Sequence, residues 1–381
     1  MTRKLRIGVN LLWLVPGVVG GSERFAVSLL SELVKRDDIE ISAYTLPSFA
    51  RTYPELAAAA HAVVAPLPPG RHVVRRVLVE NAWLPRQLRE QRLDVAHHLG
   101  GLLPRCPVPA LVTLHDLQYL AYPEYFSAPK RRYLQLSQGR SLRRAAFVAA
   151  ISDFTRADAI RAFALDPAKV VVVPPVVTPM AVSDDAVQLR ADFGVVGDFL
   201  LYPAAAYPHK NHETLLRAFA SIAKGRDISL VLTGATGAGA WGSAHSIAPR
   251  ITELIGELDI AERVRVLGYV STAQLAALYS EAVALTFPSR FEGFGLPVVE
   301  AMSVGCPVIA ANSTALPAVV GDGGVLVDPD DVDGWARELA RVIDDHVVRE
   351  KLADAGRARF AELAAADTVD RLVDVYRKAV A

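Results

Sequence analysis

The sequence predicts an α/β protein built from two doubly wound domains, and three observations carry that prediction. Short β-branched runs alternate with helical patterns throughout, as in parallel sheets covered by helices on both faces. At 381 residues the chain is too long for one compact core and suits two domains of ~150–200 residues each. Pro174, Pro175 and Pro179 interrupt the alternation within Pro174–Ala191, because proline extends neither element freely. The boundary placed there gives domains 1–178 and 179–363, and a final helix, 364–381, is expected to pack back on the first domain.

In the first domain the expected strands are Leu5–Asn10, Ile39–Tyr44, Asp94–His98, Ala110–Leu114, Phe147–Ile151 and Val170–Val173. The helices between them fall near Ser22–Lys35, Val73–Gln91, Pro129–Arg144 and Phe154–Ala164. The second series has strands at Phe199–Pro203, Ile228–Thr233, Val264–Leu267, Ala282–Phe287, Pro307–Ala310 and Gly324–Val327. Its helices start near Asn211, Ala248, Thr272, Leu296 and Val332. Ligands of such folds sit at the carboxyl ends of strands, so two domains side by side imply an interdomain cleft. Gly234–Gly242, rich in Ala and Gly, is a loop with no assigned role.

Composition removes several function classes. Hydrophobic residues make up 52% and charged ones 22%, which supports buried cores and opposes disorder. Lys plus Arg and Asp plus Glu are 41 each, so net charge gives no reason to expect nucleic acid. Cys106 and Cys306 show neither metal-ligand spacing nor a disulfide framework and read as small buried hydrophobes. The apolar start of the chain is broken by Gly8 and Asn10, and no run approaches the ~20 residues of a membrane span. The expectation is a cytoplasmic protein whose membrane contact, at the inner face, would be peripheral.

The strongest chemical signal is Phe287-Pro-Ser-Arg-Phe-Glu-Gly-Phe-Gly-Leu-Pro-Val-Val-Glu300. A buried strand ends at Phe287, Pro297 suits a helix's first turn, and Gly305 ends that helix. Unpaired N–H groups at the helix start, approached closely through Gly293 and Gly295, suit a diphosphate. Glu292 before the helix and Glu300 inside it would reach different parts of one ligand, and carboxylates accept from sugar hydroxyls. From residues alone, the stretch is equally a strand–loop–helix turn with two solvated glutamates.

Ser-Arg-Phe-Glu-Gly-Phe-Gly-Leu-Pro, with seven residues between Glu292 and Glu300, closely resembles the signature of the retaining glycosyltransferases of family 4. The resemblance implies the GT-B fold, two Rossmann-like domains with an N-terminal acceptor-binding and a C-terminal donor-binding half. It implies that Glu300 binds the ribose hydroxyls of a nucleotide and Glu292 the hydroxyls of the transferred sugar. The backbone of Gly293, Phe294, Gly295 and Leu296 would meet sugar and phosphate.

A second segment, Tyr202-Pro-Ala-Ala-Ala-Tyr-Pro-His-Lys-Asn-His212, runs from a strand end into a helix. A lysine there adds full positive charge to an anion site, so Lys210 is the expected diphosphate clamp; the plainer reading leaves His209 and Lys210 as surface residues. The family often carries Gly-Arg near the strand end, where this chain has Ala204 and Ala205. One phosphate cation is therefore missing, and Arg290 or His209 is expected to compensate.

Gly20-Gly21-Ser22-Glu23 opens an amphipathic helix that Ser22 could cap. Alone it is a turn, but family members place a glycine-rich loop here, facing donor phosphates and acceptor. His115 and Asp116 follow a buried strand, where α/β proteins collect catalytic groups. The family's matching histidine contacts the transferred sugar near the reacting carbon; without the resemblance, His115 reads as satisfied by backbone. Ser152 and Asp153 resemble the family's Ser-Glu, yet read as a helix cap. Asp328-Pro-Asp330 and Asp331-Val-Asp333 mimic a metal-binding Asp-x-Asp but precede a helix near Trp335, so N-capping is simpler. No metal and no cofactor are expected.

Arg71, Arg75, Arg76, Arg86, Arg89 and Arg92, with Trp83 and Leu88 among the apolar positions, make the Val73–Gln91 region basic; Arg140, Arg143 and Arg144 add to it. This is a solvated helix face or a surface for anionic lipid presenting a lipid-linked acceptor.

The resemblance implies retention at the anomeric carbon. Neither Glu292 nor Glu300 is placed by it as a nucleophile beneath the sugar, so a front-face reaction is expected, with His115, Asp116, Lys210 and Glu292 as the catalytic set. The competing readings are a GT-B epimerase or phosphorylase, a silent nucleotide-sugar binder, and an oxidoreductase. The last would need Gly-x-Gly-x-x-Gly where this chain has Pro-Gly-Val-Val-Gly-Gly21. Pro-His-Lys-Asn with His-Asp-Leu-Gln118 is most like transferases of mannose or related sugars in polysaccharide assembly. GDP-mannose is accordingly the leading donor, a UDP-sugar the next, and a glycan or lipid-linked acceptor the receiver.

Overall fold

The computed structural model describes residues 3–67, 73–183, 193–195, 197–234 and 246–381. Arg71, residues 184–191 of the proline-interrupted segment and residues 235–242 of the Ala/Gly-rich loop lie outside them. The chain divides into two compact units, one formed by Met1–Val176 with Asp367–Ala381 and the other by Val177–Ala366.

The strands of the first unit are β1 (Leu5–Asn10), β2 (Ile39–Thr45), β3 (Val63–Val64), β4 (Val95–His98), β5 (Ala110–Leu114), β6 (Phe147–Ala150) and β7 (Val170–Val172). They form one parallel sheet in the order β3-β2-β1-β4-β5-β6-β7. Ile7 of β1 pairs with Ile41 on one side and Val95 on the other. Both faces are covered, so β4 and β5 are buried along their length, as parallel sheets require.

The helix Thr368–Val380 belongs to this unit although it comes last in the chain. Its Leu372, Val373, Val375 and Tyr376 are buried. The Tyr376 hydroxyl lies 2.7 Å from His97 Nδ1, while His97 Nε2 lies 2.8 Å from the Thr113 hydroxyl. Burial pushes the His97 imidazole down to about 3, so it is held neutral by two hydroxyl partners. Ion pairs of Arg377 with Asp38 and of Arg36 with Asp370 close the rim.

The second unit repeats the winding with β8 (Asp198–Pro203), β9 (Ile228–Thr233), β10 (Val264–Gly268), β11 (Ala284–Phe287), β12 (Val308–Ala311) and β13 (Val325–Val327). Their order is β10-β9-β8-β11-β12-β13. The helices His212–Ala223 and Val332–Asp344 pack together, with Trp335 wholly buried and its Nε1–H donating to the Asp328 carbonyl at 3.0 Å. The helices Leu316–Val320 and His346–Ala364 are additional to those expected. At the end of Leu296–Ser303, Gly305 N–H donates to Met302 O and Cys306 N–H to Ala301 O, at 3.1 and 3.0 Å. This is a Schellman closure that needs the left-handed Gly305, φ 76°. Among the described residues no helix is long and apolar enough to cross a membrane.

Candidate functional site

Each sheet reverses its winding once, between β1 and β4 and between β8 and β11, and ligands of open α/β sheets bind outside the strand ends at such a point. In the second unit the segments leaving β8 and β11 are the two that carry Lys210 and Glu292. They are sewn together by backbone bonds: Arg290 N–H donates to the His209 carbonyl at 2.8 Å, and the Tyr202 hydroxyl donates to the Lys210 carbonyl. Asn211, 1% exposed and left-handed at φ 58°, caps the following helix from outside it. Its Nδ2 donates to Pro288 O at 3.2 Å and Pro329 O at 2.6 Å, and its Oδ1 accepts from Thr214 Oγ1 at 2.9 Å. One buried side chain thus ties three loops.

The result is an ion pair spanning the reversal point, with Lys210 Nζ 2.5 Å from Glu292 Oε1 and the side chains 19% and 13% exposed. The ammonium also lies 5.6 Å from the Phe287 ring centroid. Glu292 N–H donates to Thr314 Oγ1 at 3.0 Å, fixing the loop before the helix. Gly295 is the helix N-cap at φ 104°, ψ 50°, and a Cβ there would come within 2.6 Å of Leu316 Cδ2. Only glycine fits both demands. Pro297 carries no N–H and the Val298 N–H donates to the Gly295 carbonyl at 3.0 Å, which leaves the Leu296 N–H without an acceptor in its own helix and gives an anion-favouring end beside Lys210. Glu300 lies one turn further in, its Oε2 3.4 Å from the Tyr279 hydroxyl.

The charge compensation expected for the missing arginine is not present in this arrangement. The Arg290 guanidinium is engaged by Asp330, at 2.8 and 2.6 Å. His209 is stacked on Tyr207; burial first, then the neighbouring Lys210 charge, push its imidazole down to about 2. A neutral ring supplies no second cation, and Ala204 and Ala205 at the strand end supply none either.

In the first unit the helix Gly21–Leu33 starts two residues earlier than a Ser22 cap requires. Gly20 is the N-cap, at φ 60°, ψ −131°, and Ser22 stands inside the first turn. Sequence reasoning passed over Glu23. That residue is 8% exposed; it accepts from Gly17 N–H at 2.8 Å and from the Tyr53 hydroxyl at 2.7 Å, pinning the glycine loop to the helix start. His115 Nε2 donates to the Leu99 carbonyl at 2.8 Å, and its ring meets Phe25 edge-on at 5.1 Å and Trp13 at 6.0 Å. Burial pushes its pKa down, against the Leu99 bond and the Asp116 charge, so the neutral Nε2–H tautomer is favoured. Asp116 is exposed and accepts from Gln118 N–H at 3.0 Å, holding the short helix that follows. Through Phe25, His115 and the Gly20–Gly21 helix start lie in one neighbourhood.

The acidic pairs have local partners. Asp331 accepts from Gly334 N–H and Asp328 from Asp330 N–H, both at 2.8 Å. Ser152 accepts from Thr155 N–H at 3.1 Å as a helix cap.

Two units of identical winding, one carrying a Lys–Glu pair beside a glycine-capped helix start, define the GT-B class of sugar-transferring enzymes. The family described as "Glycosyl transferases group 1" matches residues 196–359, and "Glycosyltransferase Family 4" matches residues 19–179. The chain is 30% identical over 307 residues to the O-antigen chain mannosyltransferase B of Escherichia coli, covering 78% of this chain and 76% of that one. It is 34% identical over 237 residues to the MMP alpha-(1->4)-mannosyltransferase of Mycolicibacterium hassiacum, covering 61% of this chain and 54% of that one. With the D-inositol 3-phosphate glycosyltransferase of Nocardiopsis dassonvillei the identity is 36% over 189 residues, 48% of this chain and 44% of that one. For these last two relatives, the chain spans about half their length. In fold it matches the sucrose-phosphate synthase of Thermosynechococcus elongatus, with TM-score 0.80, 21% identity and 98% and 99% of the two chains covered. It also matches Anabaena HepE in complex with UDP and glucose, at 0.74, 19%, 98% and 99%. The chain belongs to glycosyltransferase family 4 and is a glycosyltransferase of the GT-B fold.

Proposed function

We propose that this enzyme moves a hexose, mannose by preference, from a nucleoside diphosphate sugar to a hydroxyl of a glycan or lipid-linked acceptor, with retention and without a metal or other cofactor. The observation that supports it most is the Lys210–Glu292 pair at the β8/β11 reversal point, beside the helix start at Leu296. Lysine has three N–H donors, so it can keep Glu292 and still face a diphosphate. As the anomeric C–O bond breaks, charge develops on the leaving phosphate, where Lys210 and the N–H of Leu296 at the helix start would stabilise it.

Glu292 would hold hydroxyls of the sugar and Glu300 those of the ribose, with His209, Arg290 and Gly293–Leu296 lining the donor. The acceptor hydroxyl then attacks on the face the phosphate leaves, passing its proton to a phosphate oxygen as the new C–O bond forms. In the first unit, Gly20, Gly21, His115 and Asp116 would serve the acceptor and the transferred sugar. The two relatives named as mannosyltransferases favour mannose as the sugar, and GDP-mannose stays our first choice of donor; a UDP-sugar is the next choice, which the Anabaena protein's complex with UDP and glucose makes worth testing. Work in the cytoplasm, at the inner membrane face for a lipid-linked acceptor, goes with that reading.

A thermal-shift panel of GDP, UDP, ADP and their sugars, with and without divalent metal, tests the proposal. The expected result is a metal-independent stabilisation by one nucleotide and its sugar, GDP and GDP-mannose first. Silence across the panel, or a strict metal requirement, would overturn the phosphate site built on Lys210 and Gly293–Leu296.

A further inference from the structure

The two strands at the winding reversal of the first unit end in buried polar side chains that the donor chemistry does not use. Asn10 is the last residue of β1 and His98 the last of β4. They are register partners in the ladder, 4% and 1% exposed. Burying a polar group is unfavourable unless it is hydrogen-bonded, so the bonds these two make have to account for their presence.

The directions of those bonds follow from atoms that have a single role. The Leu12 N–H can only donate, and Asn10 Oδ1 accepts it at 3.0 Å. That orients the amide, so Asn10 Nδ2 is the atom facing His98 Nδ1, at 3.1 Å, and Glu80 Oε1, at 3.4 Å. An amide nitrogen can only donate, so His98 Nδ1 accepts and the ring proton is on Nε2. Burial first, then the Arg144 charge, push this imidazole down to about 3, which keeps it neutral. His98 Nε2 has no hydrogen-bond partner among the described residues. The ring is therefore held from one side, by Asn10, in one tautomer.

The next residue carries that constraint to His115. The Leu99 carbonyl, which can only accept, takes the His115 Nε2–H at 2.8 Å. His115 Nδ1 is thereby left with a lone pair. Leu99 has little freedom: its own side chain is 1% exposed, and Trp13 lies over Gly100 so closely that a Cβ there would come within 2.6 Å of the indole ring. Trp13 also meets His115, at 6.0 Å between ring centroids, and it directly follows the Leu12 that Asn10 holds. Asn10 thus reaches His115 by two routes. One runs through His98 and Leu99 to Nε2, the other through Leu12 and Trp13 to the ring face.

We propose that Asn10 and His98 are positioning residues for His115: by holding the Leu99 carbonyl and the Trp13 ring they fix its Nε2–H tautomer, so that Nδ1 meets the substrate as a hydrogen-bond acceptor. This rests on the reading given above, in which His115 serves the transferred sugar; a sugar hydroxyl is then the donor to Nδ1. Support of this kind matters because a group that works on substrate must be held within a fraction of an ångström, and a misplacement of about 1 Å can lower the rate about 100-fold.

Two readouts test the proposal. In protein labelled with nitrogen-15 histidine, proton–nitrogen correlation spectra report which ring nitrogen carries the proton, and His115 is assigned by its loss in His115→Gln. The wild-type ring should show a protonated Nε2 and a bare Nδ1. His98→Leu, of similar volume, removes the acceptor for Asn10 and should mix the two tautomers. His98→Asn, whose Oδ1 stands where Nδ1 did, should restore the wild-type pattern. The second readout is release of nucleoside diphosphate from GDP-mannose and from UDP-glucose. His98→Leu should lower kcat by up to about 100-fold while the donor KM changes by less than about threefold, and His98→Asn should recover most of the loss. Both variants should melt within about 4 °C of wild type, because His98→Leu removes one unpartnered N–H and leaves another on Asn10. A merely structural role would move the melting temperature and leave the tautomer alone. A single Nε2–H tautomer in His98→Leu overturns the proposal, and so does a wild-type kcat in that variant while His115→Gln is slow. A wild-type kcat in His115→Gln overturns the reading of His115 itself, and the proposal with it.

Discussion

Replacing Gly295 by alanine tests the local geometry of the proposed donor site. Two costs add. A side-chain-bearing residue in the left-handed region costs about 1–2 kcal/mol, and the φ of 104° lies beyond the comfortable part of that region. The new Cβ would also stand 2.6 Å from Leu316 Cδ2, and Leu316 is wholly buried, so overpacking adds about 1–3 kcal/mol. Lower entropy of the unfolded chain returns about 0.4–1 kcal/mol. The net is about 2–4 kcal/mol, or a fall of about 5–15 °C in the melting of the second unit.

Thermal and urea unfolding of Gly295→Ala, Leu316→Ala and the double variant would separate the two costs. If Leu316 is the obstacle, the double variant is more stable than the sum of the singles by about 1–3 kcal/mol, while the φ cost persists. A single variant melting within 2 °C of wild type would refute the strain argument (about 2 °C being the least shift that 1 kcal/mol produces in a unit of this size). Additivity within about 0.5 kcal/mol would refute the contact.

Lys210→Ala should reduce turnover at saturating donor by about 10²–10³-fold, and an unchanged rate would remove Lys210 from the chemistry. Asn211→Ala should destabilise the second unit by about 2–4 kcal/mol, because two carbonyls and the Thr214 hydroxyl lose a buried partner; urea unfolding within 0.5 kcal/mol of wild type would sink that assignment. Ending the chain at Ala366 should destabilise the first unit by several kcal/mol through the loss of Leu372, Val373 and Tyr376, and leave the second unchanged; a calorimetric scan in which both units weaken equally would contradict the division. His97, His98, His209 and His212 are pushed to about 3, 3, 2 and 4. Below about pH 6.5 the unfolded chain therefore binds more protons than the folded one. Stability falls as pH drops, by up to about 1.4 kcal/mol per unit for each group, and a urea midpoint flat from pH 7 to 5 would show that these rings are not buried neutral.

What the sequence revealed follows from where its signals are local. The long strands and the helix starting at Leu296 were legible because alternation, Pro297 and Gly305 act within a few residues. β3 was not, being only Val63–Val64. The helix His346–Ala364 escaped because its buried positions, Gly356 and Phe360, are too few to make an apolar stripe. Ser22 was misread as a cap because the chain at Gly20 adopts a conformation closed to other residues, and nothing in Gly-Gly-Ser says which glycine takes it. In the site, Lys210 and Glu292 could each be named, but their contact joins positions 82 residues apart and depends on strand order. Asn211 and Glu23 were passed over for a related reason: each works by binding backbone from loops distant in sequence, and a single polar letter carries no trace of that.

The position of the helix Thr368–Val380 also sets an order of events during synthesis. A ribosome releases the chain from the amino end, so residues 1–176 emerge before 177–366, yet their sheet lacks the surface that covers His97 and Thr113 until Thr368–Val380 follows. The intervening 190 residues, Val177–Ala366, contain their own complete sheet and can condense first. The half that emerges first would therefore be the half that finishes last. Until then it would have an open apolar face and, at His97 Nδ1, an imidazole nitrogen without its Tyr376 partner, the state in which newly made domains most need protection from aggregation.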